Sequence, residues 1–340
     1  MSMFTISDRI EKSVNTVDRM SSIRTHKMIF GDKNQMNETD MILHLMEACR
    51  LCPRECDVNR LEGKKGFCGV DAKVMVARAA LHMWEEPCIS GKEGSGAVFF
   101  SGCSLGCGFC QNRRISRGQS GKQITIEHLV DIFLNLQEQK ANNINLVTAG
   151  QFLPQVAEAL KRAKAQGLHI PVVYNSSGYE KAEMLKMLDG LVDIYLPDFK
   201  YMDPELAGKY SHAKDYPQVA KLALEEMVRQ VGMPEFDSCG MMKRGVIVRH
   251  LLLPGHVKNS KNVLKYLYET YRDKIYISMM NQYTPMPAVK DDPQLSRKVT
   301  DREYERLINY AISLGLNNGF IQEGETAKES FIPEFDGEGV

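Results

Sequence analysis

The 340-residue sequence predicts an α/β fold: a partial (β/α)6 TIM-like barrel preceded by a small N-terminal cysteine-rich metal-binding region. Three observations carry that prediction. Apolar strand patterns and amphipathic helix patterns alternate roughly six times from residue 97 onward. Right-handed crossovers turn such a series into a parallel sheet that closes on itself, wholly or in part. Seven of the nine cysteines fall in two tight groups, at 49–68 and 103–110.

The elements follow in order. Residues 1–45 are polar and mixed, with a helical pattern over "ETDMILHLMEACR" (38–50), and are read as a helical entry segment. Residues 46–95 hold the first cysteine group and many glycines, and "GKEGSG" (91–96) is a loop into the first clear strand, "AVFF" (97–100). The core barrel is placed at 96–323. In "IEHLVDIFLNLQEQ" (126–139), Leu129, Ile132, Phe133 and Leu136 share one helical face. Strand "INLVT" (144–148) leads to helix "LPQVAEALKRAKAQG" (153–167), which closes on Gly167. Strand "IPVVY" (170–174), a helical 181–188 and strand "VDIYL" (192–196) come next, then a helical region over about 214–231. Strand 245–253, helix 260–271, strand 274–280, helix 301–315 and a last strand, "GFIQE" (319–323), complete the series. Residues 324–340 end in "ESFIPEFDGEGV" (329–340), apolar enough to form a docking tail.

Lysine plus arginine number 43, equal to aspartate plus glutamate. A net charge of zero argues against nucleic acid as a partner, since phosphate contacts need a basic surface. No apolar run approaches the ~20 residues of a membrane span. The N-terminal stretch has no uninterrupted apolar core, so no signal peptide is read and a cytoplasmic location is expected. In a reducing compartment, tight cysteine groups indicate metal more than disulfides.

Cys103, Cys107 and Cys110 are spaced C-x3-C-x2-C directly after the first barrel strand, where such folds place their chemistry. Three thiolates on a four-iron cluster leave one iron open, as catalysis requires. A three-ligand zinc site or spare thiols are the alternatives. Gly102, Gly106 and Gly108 let the loop wrap tightly. Cys49, Cys52, Cys56 and Cys68 have spacings x2, x3 and x11, a complete ligand set for zinc or for an auxiliary [4Fe-4S] cluster. Cys88 and Cys239 stand alone and are read as inert thiols.

The stretch C103-SLG-C107-GF-C110, with aromatic Phe109 before the third cysteine, resembles the motif of the radical S-adenosylmethionine (SAM) superfamily. "CQN" (110–112), "YNSSGY" (174–179), "LPDFKY" (196–201), "RHLLLPGH" (249–256), "NQYTPM" (281–286) and "FIPEFDGEGV" (331–340) resemble its pyruvate formate-lyase activating-enzyme-like branch, in members with an extra N-terminal cysteine motif. The resemblance implies a [4Fe-4S] cluster on Cys103, Cys107 and Cys110. It implies SAM on the open iron, a flavodoxin- or ferredoxin-type one-electron donor, and reductive cleavage to a 5′-deoxyadenosyl radical that abstracts hydrogen. A protein or peptide substrate is implied, as in glycyl-radical-enzyme activases; a small-molecule substrate or a non-catalytic iron–sulfur scaffold are the rival readings.

The same resemblance assigns site residues. Phe109 and Asn112 fall with the cluster motif. Thr148, Gly150 and Gln151 lie where the superfamily often reads G-G-E-P and holds the SAM amino group; here "TAGQF" lacks the acid. Asn175 and Ser176 end the third strand, Asn175 standing where related enzymes use an acid for a monovalent cation. Asp198–Phe199–Lys200 matches the D-x-K near SAM and substrate, and strand alternation puts Asp198 and Lys200 on one face. Arg249 is expected to hold the SAM carboxylate. His250 and His256 are read as packing or surface histidines, and Gln282 and Tyr283 as closing the site. Arg113 and Arg114 suit an acidic partner, a substrate carboxylate or plain solvation.

Overall fold

The chain is described here by a computed structural model covering residues 2–5, 44–323 and 333–340. Most of the expected entry segment (1–45) and the first part of the tail (324–332) lie outside the described residues; of the helical pattern at 38–50, one turn at 44–47 is described.

Seven strands run parallel in succession: β3 (Ser95–Phe100), β5 (Ile144–Val147), β6 (Val172–Ser176), β7 (Ile194–Pro197), β9 (Met242–Leu251), β10 (Tyr276–Met280) and β11 (Gly319–Glu323). β3, β5, β6 and β7 are buried at every position, because helices cover one face and the barrel interior the other. Their near-continuous apolar runs are the sequence form of that double burial. At one margin β2 (Val74–His82) pairs antiparallel with both β3 and β4 (Lys122–Ile124). At the other, β1 (Ser2–Thr5) pairs antiparallel with β11. A short β8 (Glu235–Phe236) pairs with the start of β9.

Helices Ile126–Glu138, Leu153–Ala165, Tyr216–Val231, Val257–Tyr271 and Asp301–Ser313 pack outside the sheet. The first buries Leu129, Val130, Ile132, Phe133 and Leu136, and its start is fixed by Thr125, whose hydroxyl accepts from the His128 N–H. Thr300 and Glu303 form a reciprocal capping box on the last. The helical region expected at 214–231 is preceded by a separate helix, Pro204–Ser211, started by Asp203 and Pro204. It ends at His212 in the left-handed region, φ +51°. Residues 333–340 lie along β2: Phe335 meets Phe99 at 5.6 Å between ring centres, and Arg78 pairs with Asp336 at 3.1 Å and with Glu338. Among the described residues no helix is long and apolar enough to cross a membrane.

Parallel strands present their C-terminal ends to one side of the sheet. The loop 101–112, the turn Thr148–Phe152, Asn175–Ser176, Asp198–Lys200, Arg249 and Asn281–Thr284 therefore share one mouth.

Candidate active site

The loop after β3 turns at two glycines in the left-handed region, Gly102 (φ +90°) and Gly106 (φ +65°). A Cβ on Gly102 would lie 2.9 Å from the Cys68 carbonyl, and one on Gly106 would lie 2.9 Å from the Phe67 ring. The loop is thus wrapped against the N-terminal cysteine segment, with no space for side chains at these turns. Burial pushes all three thiols up, Cys103 to about 11. The charge of Lys200 acts in the opposite sense on each, and Ser211 Oγ donates to Cys107 Sγ at 3.1 Å.

Cys107 and Cys110 line a cavity of about 230 Å³ together with Asn112, Asp198, Lys200, Arg249 and Tyr283. Its charged wall is one network. Lys200 Nζ donates to Asp198 Oδ2 at 2.6 Å, and Arg249 Nε donates to Asp198 Oδ1 at 3.1 Å. The two other Arg249 nitrogens donate to Glu85 Oε2 at 3.1 Å and Asn175 Oδ1 at 2.6 Å. Glu85 Oε1 in turn accepts from Asn145 at 3.1 Å and Asn175 at 3.3 Å. Burial alone would raise the Asp198 carboxyl, but Lys200 and Arg249 outweigh it and hold Asp198 below the usual carboxylate range. Burial disfavours charge on Lys200 as well, and Asp198 reverses this, so its pKa is raised. Both members of the pair are therefore charged at neutral pH.

The other positions singled out in the sequence divide. Phe109 is buried edge-on to Tyr210, with ring centres 6.4 Å apart, and packs on Tyr283 at 6.1 Å. Thr148 takes φ +58°, and Gln151 Nε2 donates to the Ser101 and Thr148 carbonyls at 2.9 and 2.7 Å, so this amide braces the ends of β3 and β5 against each other. Gly150 leaves room beneath Tyr174 Oη, which a Cβ would approach to 3.2 Å. Ser176 turns to Glu180, donating to Oε2 at 3.0 Å. His250 faces away from Arg249, its Nδ1 2.7 Å from the Phe199 carbonyl oxygen, and burial pushes it down to about 4. Arg113 and Arg114 are exposed, and Arg114 lines a cleft of about 500 Å³ with Gln111 and residues 333–336.

Two carboxyls escaped the sequence reading. Glu85 comes from a segment antecedent to the first barrel strand, 164 positions from its partner Arg249. Glu180 is buried, and desolvation pushes it up to about 8. A Glu–Glu pair before a proline, "HMWEEPC" (82–88), was the only signal for Glu85, and it carries no spacing rule.

Cys49, Cys52, Cys56 and Cys68 also lie together. The Phe67 N–H donates to Cys56 Sγ at 3.3 Å, Arg60 approaches Cys49 Sγ at 3.8 Å, and a Cβ on Gly66 would lie 2.9 Å from Cys56 Sγ. Burial, then the neighbouring Cys68, Cys49 and Cys56, pushes the Cys52 thiol up to about 12. Thiols must lose their protons to bind metal, and a bound cation would offset the repulsion between the resulting thiolates. Among the described residues no three His, Cys, Asp or Glu side chains converge on the position of a single metal ion. A four-iron cluster is held differently from a single ion, each thiolate ligating its own iron. Three half-buried thiols on one loop, two of them on the cavity wall, fit such a cluster.

The sequence profile of the radical SAM superfamily matches residues 97–267. An uncharacterised protein of Methanocaldococcus jannaschii is 27% identical over 287 residues, covering 82% of this chain and 79% of that protein. The pyruvate formate-lyase-activating enzyme of Clostridium pasteurianum is 26% identical over 178 residues, 49% of this chain and 66% of the enzyme. The FeFe-hydrogenase maturase HydG from Carboxydothermus hydrogenoformans shares 15% identity at a TM-score of 0.48, over 67% of this chain and 53% of its own. The chain spans about half the length of that solved structure. The profile match runs from within β3 into helix Val257–Tyr271 and takes in the thiol triad, Asp198, Lys200 and Arg249. The chain belongs to the radical SAM superfamily, whose enzymes use a [4Fe-4S] cluster and an electron donor to cleave SAM reductively.

Proposed function

We propose that this chain is a radical SAM enzyme that abstracts hydrogen from a protein or peptide, in the manner of a glycyl-radical-enzyme activase. The observation that supports the substrate class is a residue shared by two clefts. Gln111 lines both the cavity beside Cys107 and Cys110 and the larger cleft that runs past Arg114 to residues 333–336. An extended segment that occupied both clefts would pass Gln111, which supports a peptide over a small molecule.

In this reading Cys103, Cys107 and Cys110 hold the cluster, Asn112 and Arg249 line the SAM cavity, and Thr148, Gly150, Gln151, Asn175 and Ser176 shape the strand ends behind it. The cluster and SAM, when bound, supply one-electron cleavage and a hydrogen-abstracting radical. The chain supplies position and a closed wall. Phe109, Tyr210 and Tyr283 pack as one aromatic group beside the triad and exclude water there. Asp198 fixes the Lys200 ammonium and the Arg249 guanidinium at the cavity wall, where they meet anionic groups of ligand or substrate. Cys49, Cys52, Cys56 and Cys68 hold a second metal group. Four thiols in this order suit either structural zinc or an auxiliary [4Fe-4S] cluster.

The test is anaerobic reconstitution followed by an iron and zinc count and a 5′-deoxyadenosine assay with SAM and dithionite. About eight irons per chain supports two clusters; about four irons with one zinc assigns the quartet to zinc. The substrate class is read by adding cell extract to the assay. Stimulation that survives dialysis and is destroyed by protease supports a protein substrate. Stimulation found in the dialysate transfers the proposal to a small molecule.

A further inference from the structure

The cysteine-rich segment is built into the radical site by one side chain. Arg54 lies between Cys52 and Cys56, and every hydrogen bond of its guanidinium goes to a main-chain carbonyl of another loop. Nε donates to Ser104 at 2.9 Å, and one terminal nitrogen donates to Leu105 at 3.0 Å and Ser211 at 2.9 Å. The other donates to His212. Its Cζ lies 3.9 Å from the centre of the Phe67 ring, which sits next to Cys68 and against Gly106. Arg54 thus joins three pieces: the quartet segment, the loop between Cys103 and Cys107, and the end of helix Pro204–Ser211.

That helix end acts on the cluster ligands directly. Ser211 Oγ donates to Cys107 Sγ at 3.1 Å, and the Tyr210 carbonyl accepts from the Gly108 N–H at 2.8 Å. Hydrogen bonds to ligand sulfur raise a cluster's reduction potential. A second arginine of the same segment repeats the arrangement: Arg60 approaches Cys49 Sγ and donates to the Gln151 carbonyl at 2.8 Å, in the turn after β5.

We propose that Arg54 is a positioning residue through which the metal-filled quartet sets the geometry and reduction potential of the radical cluster. The inference rests on the reading that both cysteine groups hold metal. Filling the quartet fixes the short segment Cys52–Cys56, and so fixes the stem of Arg54. The fork then holds the Ser104, Leu105 and Ser211 carbonyls in register and keeps the Ser211 hydroxyl on Cys107. With the quartet empty, the fork loses its anchor and that bond is lost. A lysine cannot replace it, since one ammonium does not span three loops as a planar fork does.

The test uses the reconstituted full chain as wild type, Arg54→Met, Ser211→Ala, Cys52→Ala and the Arg54→Met/Cys52→Ala double variant. Iron and zinc are counted, and the cluster whose EPR signal responds to SAM is titrated against potential. Arg54→Met is expected to keep both metal groups and to shift that cluster to a more negative potential, and Ser211→Ala to do the same. Cys52→Ala is expected to lose the second metal and show the same shift, and the double variant to shift no further than either single one. If Arg54→Met fails to fold, Arg54→Lys carries the same expectation. A wild-type potential in Arg54→Met or Arg54→Lys with both metals present would overturn the proposal, as would shifts that add. A wild type without a SAM-responsive cluster, or a Cys52→Ala chain with unchanged metal content, would instead sink the reading beneath it, and the proposal with it.

Discussion

Replacing Asp198 with asparagine tests whether the charged wall is a balanced frame. Asp198 uses both oxygens, one for Lys200 at 2.6 Å and one for Arg249 at 3.1 Å. Asparagine keeps the shape but has one acceptor oxygen, so one cation must face an N–H2 group. It also removes the negative charge between two cations held in the barrel mouth. Removing one partner of a buried pair costs ~3–5 kcal/mol. The side chains of Lys200 and Asp198 are 16% and 18% exposed, and Glu85 still faces Arg249, so the low end, ~3 kcal/mol, is expected. Urea unfolding of chains matched for metal content reads this as a drop in midpoint at constant slope. A double-mutant cycle with Lys200→Met isolates the pair, and a coupling of at least ~1 kcal/mol is expected because the methionine relieves the stranded ammonium. An Asp198→Asn cost under ~0.5 kcal/mol, or strict additivity in the cycle, would refute the frame.

Three further outcomes follow from the same geometry. Cys107→Ala is expected to abolish 5′-deoxyadenosine formation while leaving the quartet's metal in place; activity with a full metal count would show that the triad had been misassigned. Gly106→Ala places a methyl 2.9 Å from the Phe67 ring at φ +65°, and should cost ~2–4 kcal/mol with loss of cluster iron, seen by unfolding and by iron count. Glu180 carries a pH signature: its pKa rises from 4.5 unfolded to about 8 folded, so the folded chain holds the proton more tightly. Its contribution to stability is therefore fully present below pH 4.5, falls as pH rises towards 8 and is flat above. Glu180→Gln should remove that slope, a gain of ~5 kcal/mol at high pH, read as the melting-temperature difference between variant and wild type across the range.

How much of this was legible depends on whether a feature is written locally. The doubly buried strands show as apolar runs, and helix Ile126–Glu138 shows as a stripe, because burial periodicity is set within the element. The thiol spacings and the D-x-K pair are local in the same sense, although β7 ends at Pro197, so Asp198 and Lys200 meet from the turn beyond the strand rather than by strand alternation. β2 was not read as a strand because "VMVARAALH" carries three alanines, which favour helix; its partner β3 decides the matter. Glu85, Arg54 and Ser211 were missed for the same reason at longer range. Each is an ordinary polar residue whose partner is fixed by crossovers that bring separate strand ends to one mouth.

Arg249 shows how the two kinds of information combine. Its place before "HLLLPG" resembles that of a SAM-carboxylate ligand, and in the fold its three nitrogens already donate to Asp198, Glu85 and Asn175. The two roles are compatible. A guanidinium has five N–H donors, and three bonds leave two free. The frame holds the plane of the fork, and a planar fork held on three sides presents its remaining donors in a fixed direction, which is the preorganisation a carboxylate ligand needs. Glu85 matters for that reason: it faces Arg249 at 3.1 Å and does not line the cavity, so the arginine keeps a counter-charge while still lining the cavity itself.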